Sequence, residues 1–484
     1  MKKEQEFMAQ ARSRKEQKAA FEGKRILVIG AGRSGVAAVH LLLACGATPV
    51  LLEQNEKRTE EDVREALMEE DRAKTEIFAG TLPEAELKKL DCCVPSPGVP
   101  MDAPIILSLK EEGIPIYSEI ELAYRLMQGT LVAITGTNGK TTTTTLTGAL
   151  LSARPAYHYG EEVFVVGNIG DAFALHTLDT KKSGVTVAEI SSFQLEAVEE
   201  FHADVSCIMN ITPDHLDRHH TMEAYAEAKE RITNLQRKEQ GDFCVLNYMD
   251  PLLREFGETR CTAEVLWFSS GDRPPRGLWL NGDEITVTGL GDADYVLMRF
   301  SECRLVGSAG AEDVMASLAI VIALGHEPFS AVEVIRNFAP VPHRIEFIAT
   351  KKGVDFYNDS KATNPDAAIQ GLRAMTKPTV LIGGGYDKES TYDSWTKLFP
   401  GKVRTLVLIG KTAEKIAESA RAQGFTDIVF AESFEEAFAK ATEAAKEGDA
   451  VLLSPACASW GMFKDYEERG NRFRALTEAL EEQE

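Results

Sequence analysis

Leu131-Val132-Ala133-Ile134-Thr135-Gly136-Thr137-Asn138-Gly139-Lys140-Thr141-Thr142 decides how this chain folds. Four apolar residues stop abruptly at a glycine turn, the pattern of a buried parallel strand. The residues beyond, Thr141 to Leu151, can form a helix with Leu146 and Leu150 on its apolar face. A strand, a glycine turn and a helix start make a phosphate site, because helix N–H groups and the positive end of the helix dipole converge on the turn. Gly136 and Gly139 let the backbone approach phosphate oxygens, Lys140 can reach the outer phosphates, and the Thr141 hydroxyl can ligate magnesium. Ile134 stands where the first glycine of the longer G-x-x-x-x-G-K-[ST] loop would fall, so this is a shorter Gly-Thr-Asn-Gly-Lys-Thr form. Thr137, Asn138 and Thr142 complete the expected phosphate-binding set. Five consecutive threonines, Thr141 to Thr145, are poor helix formers, so local propensity does not account for the run.

With 484 residues, the chain has room for roughly three domains. Its net charge of −22 argues against a general nucleic-acid or anionic-membrane surface, so polyphosphate must be held locally. No apolar run reaches membrane-spanning length, and the charged start does not resemble a signal peptide. The eight cysteines include the neighbours Cys92 and Cys93 but no C-x-x-C, which fits buried free thiols in a reducing cytoplasm. Met1 to Glu22, rich in Lys, Glu, Gln and Ala, reads as a solvated helical extension or tag-like tail.

Upstream of the phosphate loop, Arg25 to Ile29 reads as a strand. It is followed by Gly30-Ala31-Gly32-Arg33-Ser34-Gly35, an apolar helix, and a second strand ending at Glu53. This βαβ pattern fits a dinucleotide and equally any other pyrophosphate or ribose ligand. A strand over Ile114 to Tyr117 and a helix from about Glu119 close this part. Downstream lie Gly167-Asn168-Ile169-Gly170, a strand carrying Glu189, and a strand running into Asp214-His215-Leu216-Asp217-Arg218. Glu189 and His215 at parallel-strand ends, beside a phosphate loop, are best explained as magnesium ligands. Helical spacing alone makes Lys229 a solvated helix lysine. Gly271 to Gly291 reads as loops and hairpins. After Pro340 and Pro342 a third unit alternates strands and helices, with Pro365 well placed to start a helix. The fold class is α/β in three domains: a Rossmann-like domain over 24–118, a central P-loop-type parallel-sheet domain over 119–340, and a second Rossmann-like domain over 341–484. An extension, 1–23, precedes them.

Seven motifs occur in order: Ile134 to Thr141, Gly167 to Gly170, Glu189-Ile190-Ser191-Ser192-Phe193-Gln194, Asp214 to Arg218, His343-Arg344, Asn358-Asp359-Ser360-Lys361-Ala362-Thr363-Asn364 and Ser454-Pro455-Ala456-Cys457-Ala458-Ser459. Through them the chain resembles the Mur ligases, the ATP-dependent amide ligases of peptidoglycan synthesis. Within that family it is similar to the branch that adds D-glutamate to UDP-N-acetylmuramoyl-L-alanine. The resemblance implies a cytoplasmic monomer working through an acyl phosphate, with ATP and two magnesium ions. It assigns Gly32, Arg33, Ser34, Glu53, Ser96 and Asn168 to the UDP substrate, and Arg344 and Asp359 to ATP. Lys361, Thr363, Lys388, Ser459 and the backbone of Tyr466 would take D-glutamate. It also implies that Lys229 is carbamylated and ligates the second magnesium with His215. The alternatives are a related ligase with another acceptor, such as a folylpolyglutamate-type enzyme, and a non-catalytic sugar-nucleotide-binding protein. One stretch departs from the family: Gly307-Ser308-Ala309-Gly310-Ala311-Glu312-Asp313 stands where Gly-x-His-Asn-x-x-Asn faces the adenine, which implies weaker adenine discrimination. Gly461 stands where an acidic residue is common.

Overall fold

The computed structural model describes residues 13–153, 162–339, 341–387 and 390–480, with only the backbone of Asp217. Lys388, expected to meet D-glutamate, lies outside the described residues, as do positions 1–12. Three sheets organise the rest. The first orders its strands Glu76–Ala79, Thr48–Glu53, Arg25–Ile29 and Cys92–Pro95, all parallel. Ile26, Leu27, Val28 and Ile29 are almost wholly buried, since both sheet faces are covered. The expected strand at Ile114 to Tyr117 shrinks to a single bridge, Cys93 with Ile116, because Pro115 has no N–H to extend the ladder.

The second sheet has nine strands, in the order Tyr295–Arg299, Glu284–Thr288, Gly277–Asn281, Glu264–Ser269, Phe243–Asn247, Val205–Ile208, Thr130–Thr135, Val185–Glu189 and Val163–Gly167. From Gly277–Asn281 to Val163–Gly167 neighbours are parallel. The stretch read as loops and hairpins supplies Gly277–Asn281 and its antiparallel partner Glu284–Thr288, turning at Gly282 with φ +62°. The third sheet runs Glu346–Lys351, Val354–Asn358, Ala450–Leu453, Thr379–Gly383, Val403–Ile409 and Ile428–Ala431, with only the first strand antiparallel. By compactness the chain forms two units. One contains the four-stranded sheet and nearly all of the nine-stranded one; the other comprises Arg336 onward with Thr212–Asp214 and Arg299–Glu312. The helix expected over Val314 to Leu324 begins earlier, at Gly307. As expected, Pro365 opens a helix, whose cap Asn364 accepts from the Ala367 N–H at 2.8 Å.

The N-terminal stretch is not simply solvated. Ser13 and Glu16 form a capping box for the helix Arg14–Ala19. Gln17, buried, donates to the Met127 carbonyl at 3.1 Å, and Arg14 donates to that of Thr180. Phe21 packs into the core of the first sheet. Burial of Gln17 and, just past the helix end, of Phe21 docks this stretch in a way that its polar composition hides. All eight cysteines are free thiols, six buried and two, Cys261 and Cys303, partly exposed. No helix among the described residues is long and apolar enough to cross a membrane.

Ser118 caps the helix Glu119–Leu126, and Glu119 is buried, its carboxylate accepting from the Ala174 N–H at 2.5 Å. Burial pushes this carboxyl up to about 7. A raised carboxyl is the reverse of the usual surface case: the folded state holds its proton more tightly, so stability falls as pH rises from about 4.5 to about 7. Glu119→Gln keeps an oxygen for Ala174 and removes the charge. Its melting temperature should therefore exceed that of the wild type at pH 8, by the equivalent of up to about 3 kcal/mol, and the gap should narrow at pH 5.5. Thermal melts of both proteins at the two pH values check this.

Candidate active site

The strand Thr130–Thr135 ends at Gly136, whose φ of +144° and lack of a side chain are both required, since a Cβ there would sit 2.8 Å from the Met209 Cβ. Gly139, at φ +85°, caps the helix Lys140–Ser152. The neighbouring strand end fastens the loop: Thr137 N–H donates to the Asn210 carbonyl (2.9 Å) and Asn138 N–H to the Asn210 side chain (2.8 Å). Lys140 Nζ donates to the carbonyls of Gly136 and Thr137, each at 2.8 Å. Lys229 does not behave as a solvated helix lysine. The helix Met222–Glu230 buries it, with Nζ 2.8 Å from the Gly136 carbonyl and 4.6 Å from the centre of the Tyr225 ring. Tyr225, which carries no sequence signal of its own, also reaches Thr137 through its hydroxyl at 3.2 Å.

Glu189 ends the strand beside the phosphate strand, in register with Ile134. It is 2% exposed; one carboxylate oxygen accepts from Asn168 Nδ2 at 2.8 Å, and the other, Oε2, has no hydrogen-bond partner among the described residues. The buried Thr142 hydroxyl is also without one. A buried, uncompensated carboxylate oxygen next to a phosphate loop suits a hard divalent cation. His215 is exposed and holds φ +52°, the left-handed region, with its ring edge-on to Phe193 at 4.8 Å. Strain of this kind concentrates where a side chain must be aimed.

In the first domain, a Cβ on Gly35 would meet the Gly30 carbonyl oxygen at 1.9 Å, so the loop closes only around glycine. Glu53 braces this loop, accepting from Ala31 N–H and from Arg58 at 3.1 Å each. Ser96 donates to the Gly30 carbonyl at 3.2 Å, and Arg33 to the Gly170 carbonyl at 2.7 Å. Gly32 caps the following helix, and Ser34 sits in its first turn, half-buried.

In the other unit, Arg344 is flanked by two residues at positive φ, His343 (+67°) and the β-branched Ile345 (+44°). Asp359 supports this turn. It accepts from Ile345 N–H at 3.3 Å and from the Ser454 hydroxyl at 2.7 Å, and burial pushes its carboxyl up to about 7. Lys361 N–H donates to the His343 carbonyl, and its ammonium lies 5.4 Å over the Tyr466 ring. Thr363 follows in the same loop, and Ser459 is buried in the loop that follows Ala450–Leu453. Asp313, the last residue of the stretch that departs from the family's adenine motif, lies beside the phosphate-loop helix. Its carboxylate accepts from the Thr143 hydroxyl at 3.0 Å, in the first turn of the phosphate-loop helix.

Three family models match the chain: Mur ligase MurD-like, N-terminal domain, over 24–118; Mur ligase middle domain, over 134–321; and Mur ligase, glutamate ligase domain, over 343–457. The chain is 49% identical over 460 residues to the UDP-N-acetylmuramoylalanine--D-glutamate ligase of Lachnospira eligens, covering 95% of this chain and all of that one. It is 48% identical over 463 residues to the enzyme of the same name from Lachnoclostridium phytofermentans, covering 96% and 100%. Among solved structures, its fold is similar to a pseudomurein peptide ligase type C from Methanothermus fervidus (TM-score 0.58, 17% identity, 94% and 100% covered). It is also similar to the MurF ligase of Thermotoga maritima solved with ADP (TM-score 0.55, 18% identity, 94% and 95% covered).

A Cβ on Gly139 would lie 2.7 Å from Asp313 Oδ1 and 3.1 Å from the Met209 Cε, on a backbone that disfavours any side chain. Gly139→Ala should therefore destabilise the chain by about 1 kcal/mol or more, seen as a lower melting temperature, and weaken nucleoside-triphosphate binding by calorimetry. Adding Asp313→Ala should recover only part of the loss, because it removes the contact and leaves the backbone strain.

Proposed function

Since this chain belongs to the Mur ligase family, we propose that it joins D-glutamate to UDP-N-acetylmuramoyl-L-alanine, driven by ATP, as a cytoplasmic monomer. The observation that carries this reading is near-full-length identity to relatives named for that reaction. In the reaction, the substrate carboxylate attacks the γ-phosphate of ATP, giving an acyl phosphate and ADP. The amine of D-glutamate then adds to the acyl carbon, and phosphate leaves from the tetrahedral intermediate.

Both steps bring anions together, so catalysis rests on fixed positive potential aimed at the phosphates. Lys140, the N–H groups of Gly139 to Thr142 and the positive end of the helix Lys140–Ser152 supply it. Two magnesium ions, when bound, would neutralise and align phosphate oxygens; Thr141 and Glu189 would hold one, His215 and a carbamylated Lys229 the other. The uncompensated Glu189 oxygen supports the first assignment. Carbamylation requires the Lys229 ammonium to lose one proton and then a second as the amine bonds CO₂, turning a cation beside Gly136 into an anionic oxygen ligand. The glycine loop at Gly32, with Arg33, Ser34, Glu53, Ser96 and Asn168, would hold the UDP substrate. Arg344 and Asp359 would contribute to ATP binding. Lys361, Thr363, Lys388, Ser459 and the Tyr466 backbone would hold D-glutamate, whose free carboxylates call for a cation and hydroxyls.

Phosphate release measured with UDP-N-acetylmuramoyl-L-alanine, ATP, magnesium and an amino-acid panel tests this reading. D-Glutamate should exceed L-glutamate and meso-diaminopimelate by at least about tenfold, and Lys140→Ala, still folded, should lose about a hundredfold or more. Equal use of the three amino acids would overturn the acceptor assignment. Lys229→Ala should be nearly inactive and partly restored by acetate; normal turnover without acetate would overturn the carbamate.

A further inference from the structure

Arg469 is 1% exposed, in the first turn of the helix Tyr466–Glu478, and no carboxylate among the described residues lies within ion-pair distance of it. Burying a guanidinium is costly unless hydrogen bonds replace its water. Here three do. Nε donates to the Ser360 hydroxyl at 2.9 Å, Nη2 to the Ser360 carbonyl at 2.7 Å, and Nη1 to the Cys457 carbonyl at 3.1 Å. Burial lowers its pKa to about 10, with the charge of Asp359 acting against that shift, so it stays a cation at neutral pH.

These contacts link two loops beyond the point where their strands, Val354–Asn358 and Ala450–Leu453, stop pairing at Asn358 and Leu453. Ser360 belongs to the loop that carries Lys361 and Thr363, and its hydroxyl donates to the Tyr466 carbonyl at 2.8 Å. Cys457 belongs to the loop that carries Ser459, and follows Ala456 at φ +57°, a strained turn. The second loop is in turn bonded to a third, since Gly384 N–H donates to the Pro455 carbonyl and Tyr386 N–H to that of Ala458, each at 2.9 Å. The buried fork thus ties together the backbones of the loops that carry Lys361, Thr363 and Ser459.

We propose that Arg469 is a positioning residue for the amino-acid acceptor: it touches no substrate but fixes the relative placement of the loops at Ser360 and Cys457. The proposal rests on the acceptor reading given above. A lysine cannot replace the fork, because one ammonium cannot donate along three directions set by a planar guanidinium.

The test is steady-state kinetics of Arg469→Lys and Arg469→Ala, with hydrogen exchange of both. In Arg469→Lys the KM for D-glutamate should rise about tenfold or more, while the KM values for ATP and the UDP substrate stay within about threefold. Exchange should quicken in residues 358–364 and 455–459 and stay unchanged in the first sheet. Guanidinium ion should partly restore D-glutamate KM in Arg469→Ala. A uniform rise in all three KM values, or an unchanged D-glutamate KM, would overturn the proposal. Should the wild type use another amino acid, the acceptor reading fails, and the same KM comparison is made with that amino acid. Should it use none, exchange in the two loops decides: quickening there alone supports the positioning role, and no change overturns it.

Discussion

Everything near the phosphate loop depends on one carbonyl oxygen, that of Gly136, which accepts from the ammonium groups of both Lys140 and Lys229 at 2.8 Å. Two like charges sharing one acceptor repel, and the repulsion is stronger away from bulk water. The arrangement is tolerable as a resting site for a polyanion, and in a chain of net charge −22 it is a local reversal of the overall field. The proposed carbamate would resolve the same conflict from the other side, by turning one of the two cations into an anion. Glycine at 136 and 139 then reads as a demand of geometry, since neither position has room for a side chain.

The legible part of the sequence was whatever repeats a local rule. Continuous apolar runs gave parallel strands buried on both faces, and glycine turns at their ends gave loops. Pro365 gave a helix start, and Glu189 stands at its strand end. What stayed hidden depends on partners distant in sequence. Polar composition made the first helix look solvated, but Gln17 finds the Met127 carbonyl 110 residues away. Lys229 looked like any helix lysine until Gly136 was brought beside it. Arg469 carried no motif, and its burial follows only from the meeting of the Ser360 and Cys457 loops. Conversely, Pro115 was visible, and its missing N–H should have limited the strand expected there.

In the second unit, backbone strain marks the places where aim matters. His343, Ile345 and Ala456 all hold left-handed φ values that cost about 1–3 kcal/mol each outside a supporting frame. The frame is visible: Asp359 and Ser454 brace the first two, and Arg469 holds the residue after the third. A buried carboxyl near 7 and a buried guanidinium thus act as struts for backbone, a use of charge that differs from surface ion pairing, which contributes little.

The cysteine inventory has a practical side. Six of the eight thiols are buried, and burial raises the pKa of Cys45, Cys92, Cys93, Cys207, Cys244 and Cys457, which makes them slow nucleophiles. The two partly exposed thiols, Cys261 and Cys303, fall in different compact units. The native chain therefore carries its own pair of attachment points for maleimide fluorophores. Energy transfer between dyes placed there would report, without any engineered cysteine, whether adding substrates one at a time alters the distance between the two labelled positions.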